Sequence, residues 1–403
     1  MQHNFDKEIA RQGTNSVKWE FMQGRQGEPL VIHTNRFFGE DRTLPMWVAD
    51  MDFRCPDAVV EALTARVQHG IYGYSAPTAD FYASVIHWMK RRHDWEVAPE
   101  WICITPGVVP ALNMLVRTFV SPGEKVLIQP PVYHPFKKAI ENNQAEAAVN
   151  PLRYAGGRYS MDFADLEAKV KDPRVKLAIL CSPHNPVGRV WTREELIEFG
   201  QICIRNDVLV VADEIHADLV YPGHPFTPYA KLSPDFARQS VVCTSPSKTF
   251  NMAGLHTSAI IISNDDLRDR FNQTLLASGL FGTGTFGLVA FQAAYNEGEA
   301  WLDQVLTYLE ANLAFLEEYL AAHIPQIQVV HPEGTYLVWL DCRSLGLGTE
   351  DLTHLMLEEA KVYLDDGFIF GPEGEGFQRI NIACPRPVLT DALDRIKEAV
   401  SSL

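Results

Sequence analysis

In the run TSPSKTFNMAGLH, 244 to 256, one lysine, Lys248, stands between two serines and a threonine with no carboxylate beside it to pair with its charge. Lysines after strands are as a rule exposed surface cations. Small hydroxyl neighbours and the following NMAG turn suit a different use: a phosphate beside the chain and an amine held for covalent work. A desolvated lysine of lowered basicity forms Schiff bases with carbonyl groups. Asp213 closes the apolar run VLVVAD. It could cap the next helix, but a carboxylate there is costly to bury unless it meets a cation, such as a protonated pyridine nitrogen.

Other residues carry weaker versions of the same message. Asn185, in SPHNPVG, reads as a turn residue before proline or as an amide donor aimed at a ligand oxygen. Tyr133, in PPVYHPF, is a strand-end aromatic or a platform for a flat ring. TPGVVPALNML, with Gly107, Val108 and Val109, is a strand exit, a glycine and a helix start, where free N–H groups can meet a phosphate. Arg379, in FQRINIA, is a sheet-edge cation or a fork for a carboxylate. GTGTFG, 282 to 287, matches G-x-G-x-x-G but follows a helical pattern instead of a strand, so it is read as a flexible loop and not as a dinucleotide site.

These residues need elements to bring them together. From about residue 100, short β-branched runs alternate with stretches of helical period, which predicts parallel α/β structure. The expected strands are 101 to 105, 125 to 129, 176 to 181, 208 to 213, 240 to 245 and 258 to 263, with helices such as 110 to 119 and 193 to 207 between them. Ligands of an open parallel sheet sit beyond the carboxyl ends of its strands. Gly107, Tyr133, Asn185, Asp213 with His216, and Ser245 through Lys248 all fall just there. After residue 290 a long helical stretch, 298 to 323, leads into the strand-like runs 335 to 341 and 377 to 383. The expected division is a large unit, 47–289, and a smaller α+β unit of 1–46 with 290–403.

Bulk properties exclude several classes. The 403 residues carry 35 Lys+Arg against 51 Asp+Glu, a net charge of -16 without a basic run, which argues against nucleic acid as partner. The amino terminus lacks a signal-peptide pattern and no apolar run is long enough to span a bilayer, so the expected location is cytoplasmic, away from membrane. Seven scattered cysteines without a C-x-x-C pair argue against a disulfide framework and a zinc site, and no metal is expected.

The order Gly107, Tyr133, Asn185, Asp213, Lys248, Arg379 resembles that of fold-type I pyridoxal-phosphate enzymes of the class I/II aminotransferase family. The runs LPMWVADMDF, GIYGYSAP, PHNPVGRVW, ADEIHADLV, PSKTFNMAGL, GTYLVWLD and RINIACPR resemble the cystathionine β-lyase branch of bacterial C–S lyases. The resemblance implies a PLP-dependent transferase-like fold, with a mostly parallel sheet sandwiched by helices plus a smaller α+β domain. It implies pyridoxal 5'-phosphate held by Lys248, its pyridine nitrogen on Asp213, its phenolic oxygen near Asn185 and His216, its ring on Tyr133, and its phosphate at Gly107, Val108, Val109, Ser245 and Ser247. Arg379, Asn185 and Val48 are then expected to face an amino-acid substrate, with Lys248, Tyr133 and Tyr74 as catalytic residues. Tyr74 is expected to reach a partner subunit's site, which implies a homodimer. His256 stands eight residues after the lysine, where aminotransferases usually carry an arginine, and His216 where many have a tyrosine. The implied reaction is β-elimination of a thiol from cystathionine or a related cysteine derivative. An aminotransferase, or a regulatory interaction protein with residual lyase activity, is the alternative.

Overall fold

A computed structural model of the chain describes residues 2–22, 30–39, 42–280 and 282–403; parts of the 1–46 segment therefore lie outside the described residues. Its centre is a sheet of seven strands: β1 (Ile102–Thr105), β2 (Lys125–Ile128), β3 (Glu146–Val149), β4 (Val175–Cys181), β5 (Leu209–Asp213), β6 (Ser240–Thr244) and β7 (Ser258–Ile261). The spatial order is β1-β7-β6-β5-β4-β2-β3. All pairs are parallel except those of β7, which runs antiparallel to both β6 and β1.

The inner strands are mostly apolar because helices cover both faces, whereas the edge strand β3, EAAV, is largely exposed. Along each strand alternate side chains enter different cores. Leu177, Ile179, Leu209, Val211 and Val241 pack with the helices Val108–Phe119, Pro135–Asn142 and Asp265–Ala277. Ala178, Leu180, Val210, Ala212 and Val242 face the larger core shared with the helices Arg193–Arg205, Thr285–Glu297 and Glu299–His323. Local signals set the helix ends. Thr192 and Glu195 form a reciprocal capping box at the start of Arg193–Arg205, and Asn264 caps Asp265–Ala277. The helix after β1 begins at Val108, two residues earlier than expected, because Pro110 falls in its first turn, where no N–H is needed.

Four further strands, β8 (Gln328–Val330), β9 (Leu337–Asp341), β10 (Asp365–Asp366) and β11 (Phe377–Asn381), form an antiparallel sheet in the order β8-β9-β11-β10. Glu299–His323 and Arg386–Ser401 pack beside it. The amino-terminal segment joins this part: Leu44–Pro45 pairs in parallel with Val362–Tyr363, Arg36 meets Glu358 at 2.7 Å, and Tyr308 Oη donates to Asp6. We propose, on these pairings, the division into 47–289 and 1–46 with 290–403.

The GTGTFG run departs from its expected form. Gly282 to Gly284 are irregular, but Thr285 already opens a helix, so the second half of the run is a helix start and not a loop. All seven cysteines are free, six of them buried.

Candidate active site

The carboxyl ends of β1, β4, β5 and β6 open toward the four-stranded sheet, and the segment 46–53 runs between the two. That segment has no regular structure of its own. Asn381, at the end of β11, donates from Nδ2 to Val48 O and Asp50 O at 2.6 Å each. Asn251 accepts from Met51 N at 2.9 Å and donates to Met51 O and Phe53 O at 2.8 Å.

Lys248 lies in the short helix Pro246–Thr249 just after β6, which Ser245 caps by accepting from Ser247 N at 3.1 Å. Its Nζ donates to Ala49 O at 2.8 Å. Burial pulls the amine down to about 8; Arg379 pushes the same way, while Asp50 and Asp213 oppose it.

Asp213, the last residue of β5, is buried at 4% exposure. Among the described residues its side chain takes one hydrogen bond, from Ile215 N at 3.2 Å, and burial pushes its carboxyl up to about 7 against the pull of that bond and of Lys248. The folded chain therefore holds this proton more tightly than an unfolded one. Asp213 favours folding below its unfolded value near pH 4 and ceases to as pH rises through about 7. Asp213→Asn in the cofactor-free chain is thus expected to be stabilising at pH 8, on the order of 4 kcal/mol at most, and nearly neutral near pH 4. Urea unfolding of both forms at the two pH values checks this, and an equal difference at both would refute it.

His216 follows one turn later. Burial draws its imidazole down to about 3, with Lys248 and Arg379 adding to the effect, so it is neutral at ordinary pH, and its buried Nδ1 has no partner. Arg379, on β11, is 3% exposed. It donates from Nη1 to Asn185 Oδ1 at 2.9 Å and from Nη2 to Trp47 O at 2.8 Å, and Nη2 also meets Asp365. Its Nε has no partner. Phe370 lies under the guanidinium at 4.9 Å. Asp365 is directly across from Arg379 in the β10–β11 register, and burial pushes its carboxyl up to about 6 in spite of the arginine.

Tyr133 donates its backbone N–H to Asn185 O at 3.1 Å, and burial, with Asp213 adding, pushes its phenol up to about 12. At the other end of the site Gly107 takes φ +125°, a conformation costly to any residue with a Cβ, and caps the helix whose first residues are Val108 and Val109. Thr105, just before it, pairs with Ser258, and Ser245 Oγ donates to Thr257 O at 2.8 Å, so the Gly107 and Ser245 segments lie side by side at the strand ends.

Most sequence-predicted positions thus gather at one end of the sheet: Gly107, Val108, Tyr133, Asn185, Asp213, His216, Ser245, Ser247, Lys248 and Arg379, with Val48 in the adjoining segment. Tyr74 stands apart. It is fully exposed, in an irregular stretch with Ile71 and Tyr72, whose ring rests on Phe286 at 5.4 Å. His256 is exposed at φ +48°. The sequence reading missed Ala49, Asp365 and Tyr336. Tyr336 Oη donates to Ala49 O at 2.9 Å; the only signal for it was its place in GTYLVWLD.

Comparison with known proteins gives a consistent set. Residues 45–396 match the aminotransferase class I and II family. The chain is 47% identical to cystathionine beta-lyase PatB of Bacillus subtilis over 398 residues, covering 99% of this chain and 100% of that one. It is 34% identical to protein MalY of Escherichia coli, with 99% of each covered. In structure it is similar to cystalysin of Treponema denticola, which contains a pyridoxal 5'-phosphate cofactor: TM-score 0.94, 35% identity, 100% of both chains.

Proposed function

We infer the activity of this chain from its family: it belongs to the aminotransferase class I and II family, and it is a pyridoxal-phosphate-dependent carbon–sulfur lyase. The substrate we propose is L-cystathionine or a related cysteine derivative, cleaved to a thiol, pyruvate and ammonia, with homocysteine as the thiol from cystathionine.

The residues fit the cofactor. A buried carboxylate that lacks a cation suits a pyridine nitrogen, an amine of depressed basicity suits an aldehyde, and the unpartnered His216 Nδ1 suits a ring oxygen. Lys248 would hold it covalently, Asp213 at the pyridine nitrogen, Asn185 and His216 at the phenolic oxygen, and Tyr133 against the ring. Gly107, Val108, Val109, Ser245 and Ser247 would surround the phosphate. Ser245 Oγ already donates to Thr257 O, so the backbone amides carry more of that contact than its hydroxyl. When bound, pyridoxal phosphate supplies an electron-withdrawing ring that accepts the charge left at the substrate α-carbon.

The protein's own part is binding and proton transfer. Arg379 takes the substrate carboxylate through Nε, which is free, and Nη1, while Asp365 and Trp47 O fix the other edge of its fork. Lys248, poised near neutrality, takes the α-proton from a substrate so oriented, and Val48 lies beside it. Loss of the thiolate from the β-carbon completes the elimination. The exposed Ile71, Tyr72 and Tyr74 support a homodimer in which Tyr74 reaches the partner's site.

The observation that carries this reading is the convergence of Lys248, Asp213 and Arg379, three ionisable groups from two strand ends of the large sheet and the middle of a strand in the smaller one. Purified protein supplied with pyridoxal phosphate and no keto acid is expected to release thiol and pyruvate from L-cystathionine in equal amounts. Bound cofactor with neither product refutes this substrate; a sustained reaction only with 2-oxoglutarate identifies an aminotransferase.

A further inference from the structure

Along the segment 46–53 the carbonyls of Trp47 through Met51 and of Phe53 accept from side chains elsewhere in the chain, and Ala49 differs from its neighbours. Its oxygen takes two side-chain donors with chemistry of their own, Lys248 Nζ at 2.8 Å and Tyr336 Oη at 2.9 Å. A carbonyl oxygen has two lone pairs, so these donors fill it. Tyr336 cannot move away easily. Its side chain is wholly buried, its backbone carbonyl accepts from Ile382 N at 2.9 Å, and its ring meets His216 edge-on at 6.2 Å.

We propose that Tyr336 is a positioning residue that acts through the Ala49 carbonyl to set the basicity and the aim of the Lys248 amine. An acceptor stabilises an ammonium more than a neutral amine, so a free Ala49 carbonyl would hold a proton on Lys248. Tyr336 occupies half of that acceptor and weakens the hold. Burial keeps the phenol protonated far into the alkaline range, so it remains a donor wherever the enzyme works. Among the other groups near the amine, Asp50 and Asp213 raise its basicity, Arg379 lowers it, and His216 is uncharged at neutral pH; of these Asp213 titrates near 7, so its charge changes across the same range. When the amine swings away to work on substrate, Tyr336 keeps the carbonyl facing the same way, so the amine returns to the same place.

The inference rests on the reading of Lys248 as the proton-transfer group, but its first test does not. Tyr336→Phe removes only the hydroxyl. In the full chain stripped of cofactor, the pH midpoint for acylation of Lys248, followed by peptide mass spectrometry, is expected to rise by about 0.5–1 unit, the size of one neutral hydrogen bond. In the loaded enzyme kcat for thiol release is expected to fall about tenfold with KM little changed, its acid limb moving to higher pH by the same amount. A second variant, 3-fluorotyrosine at 336 introduced by nonsense suppression, keeps the ring and makes a stronger donor; its midpoint is expected to move the other way, down. A lower melting temperature with the Lys248 midpoint unchanged in both variants shows a purely structural hydroxyl and overturns the proposal. Inactive parent protein with the expected midpoint shifts refutes the lyase reading and leaves the coupling standing.

Discussion

Lys248→Ala is expected to fold normally and to release neither thiol nor pyruvate from L-cystathionine. The proton-transfer role alone is worth roughly 10²–10⁴-fold in rate, and the covalent hold on the cofactor is lost as well. Folding should survive because the short helix Pro246–Thr249 has other anchors: the Ser245 cap and the 2.8 Å bond from Thr249 Oγ1 to the buried Asp218 carboxylate. Losing an amine whose burial lowers its basicity removes a desolvation cost. Melting temperature and product release, measured on one preparation, check both halves. A variant retaining a tenth of the parent rate would remove Lys248 from the mechanism.

Arg379→Met is expected to cost both activity and stability, in a way that depends on pH. The substitution leaves Asp365 buried with no cation, and breaking one side of a buried pair typically costs about 3–5 kcal/mol. Its carboxyl sits at about 6 even with the arginine present, and without that charge it rises further. A group whose folded value is raised favours folding below its unfolded value and loses that contribution as pH rises through the folded one. The variant should therefore be most damaged near pH 8 and partly recover toward pH 5 as Asp365 takes up a proton. Urea unfolding at the two pH values, with kcat/KM for the substrate, tests it. Equal destabilisation at both, or less than about 1 kcal/mol at pH 8, would show that Asp365 does not depend on Arg379.

The central strands could be read from sequence because each is apolar on both faces and ends at a turn or a polar residue. Their direction could not. The run 258 to 263 has the same apolar texture as its neighbours, yet β7 is antiparallel, a choice made by the chain connections. β3, with the residues EAAV, was missed because an edge strand of small and polar side chains carries little hydrophobic signal. Lys248, Asp213 and Arg379 were legible because charge beside an apolar run needs a reason. Ala49 was not, since what it contributes is a backbone oxygen common to every residue. Asp365 sits in YLDDG, which reads as a turn, and only the β10–β11 register places it opposite Arg379.

The clamped segment has a consequence for how the enzyme is made. Its partners lie far along the chain: the Ala49 carbonyl waits for Lys248, 199 residues later, and Val48 for Asn381, 333 residues later. During synthesis on the ribosome the amino-terminal segment emerges long before either. A nascent chain that stops short of β11 lacks the Asn381 amide that holds Val48 and Asp50 on either side of Ala49, so the carbonyl facing the lysine is not yet clamped from both sides.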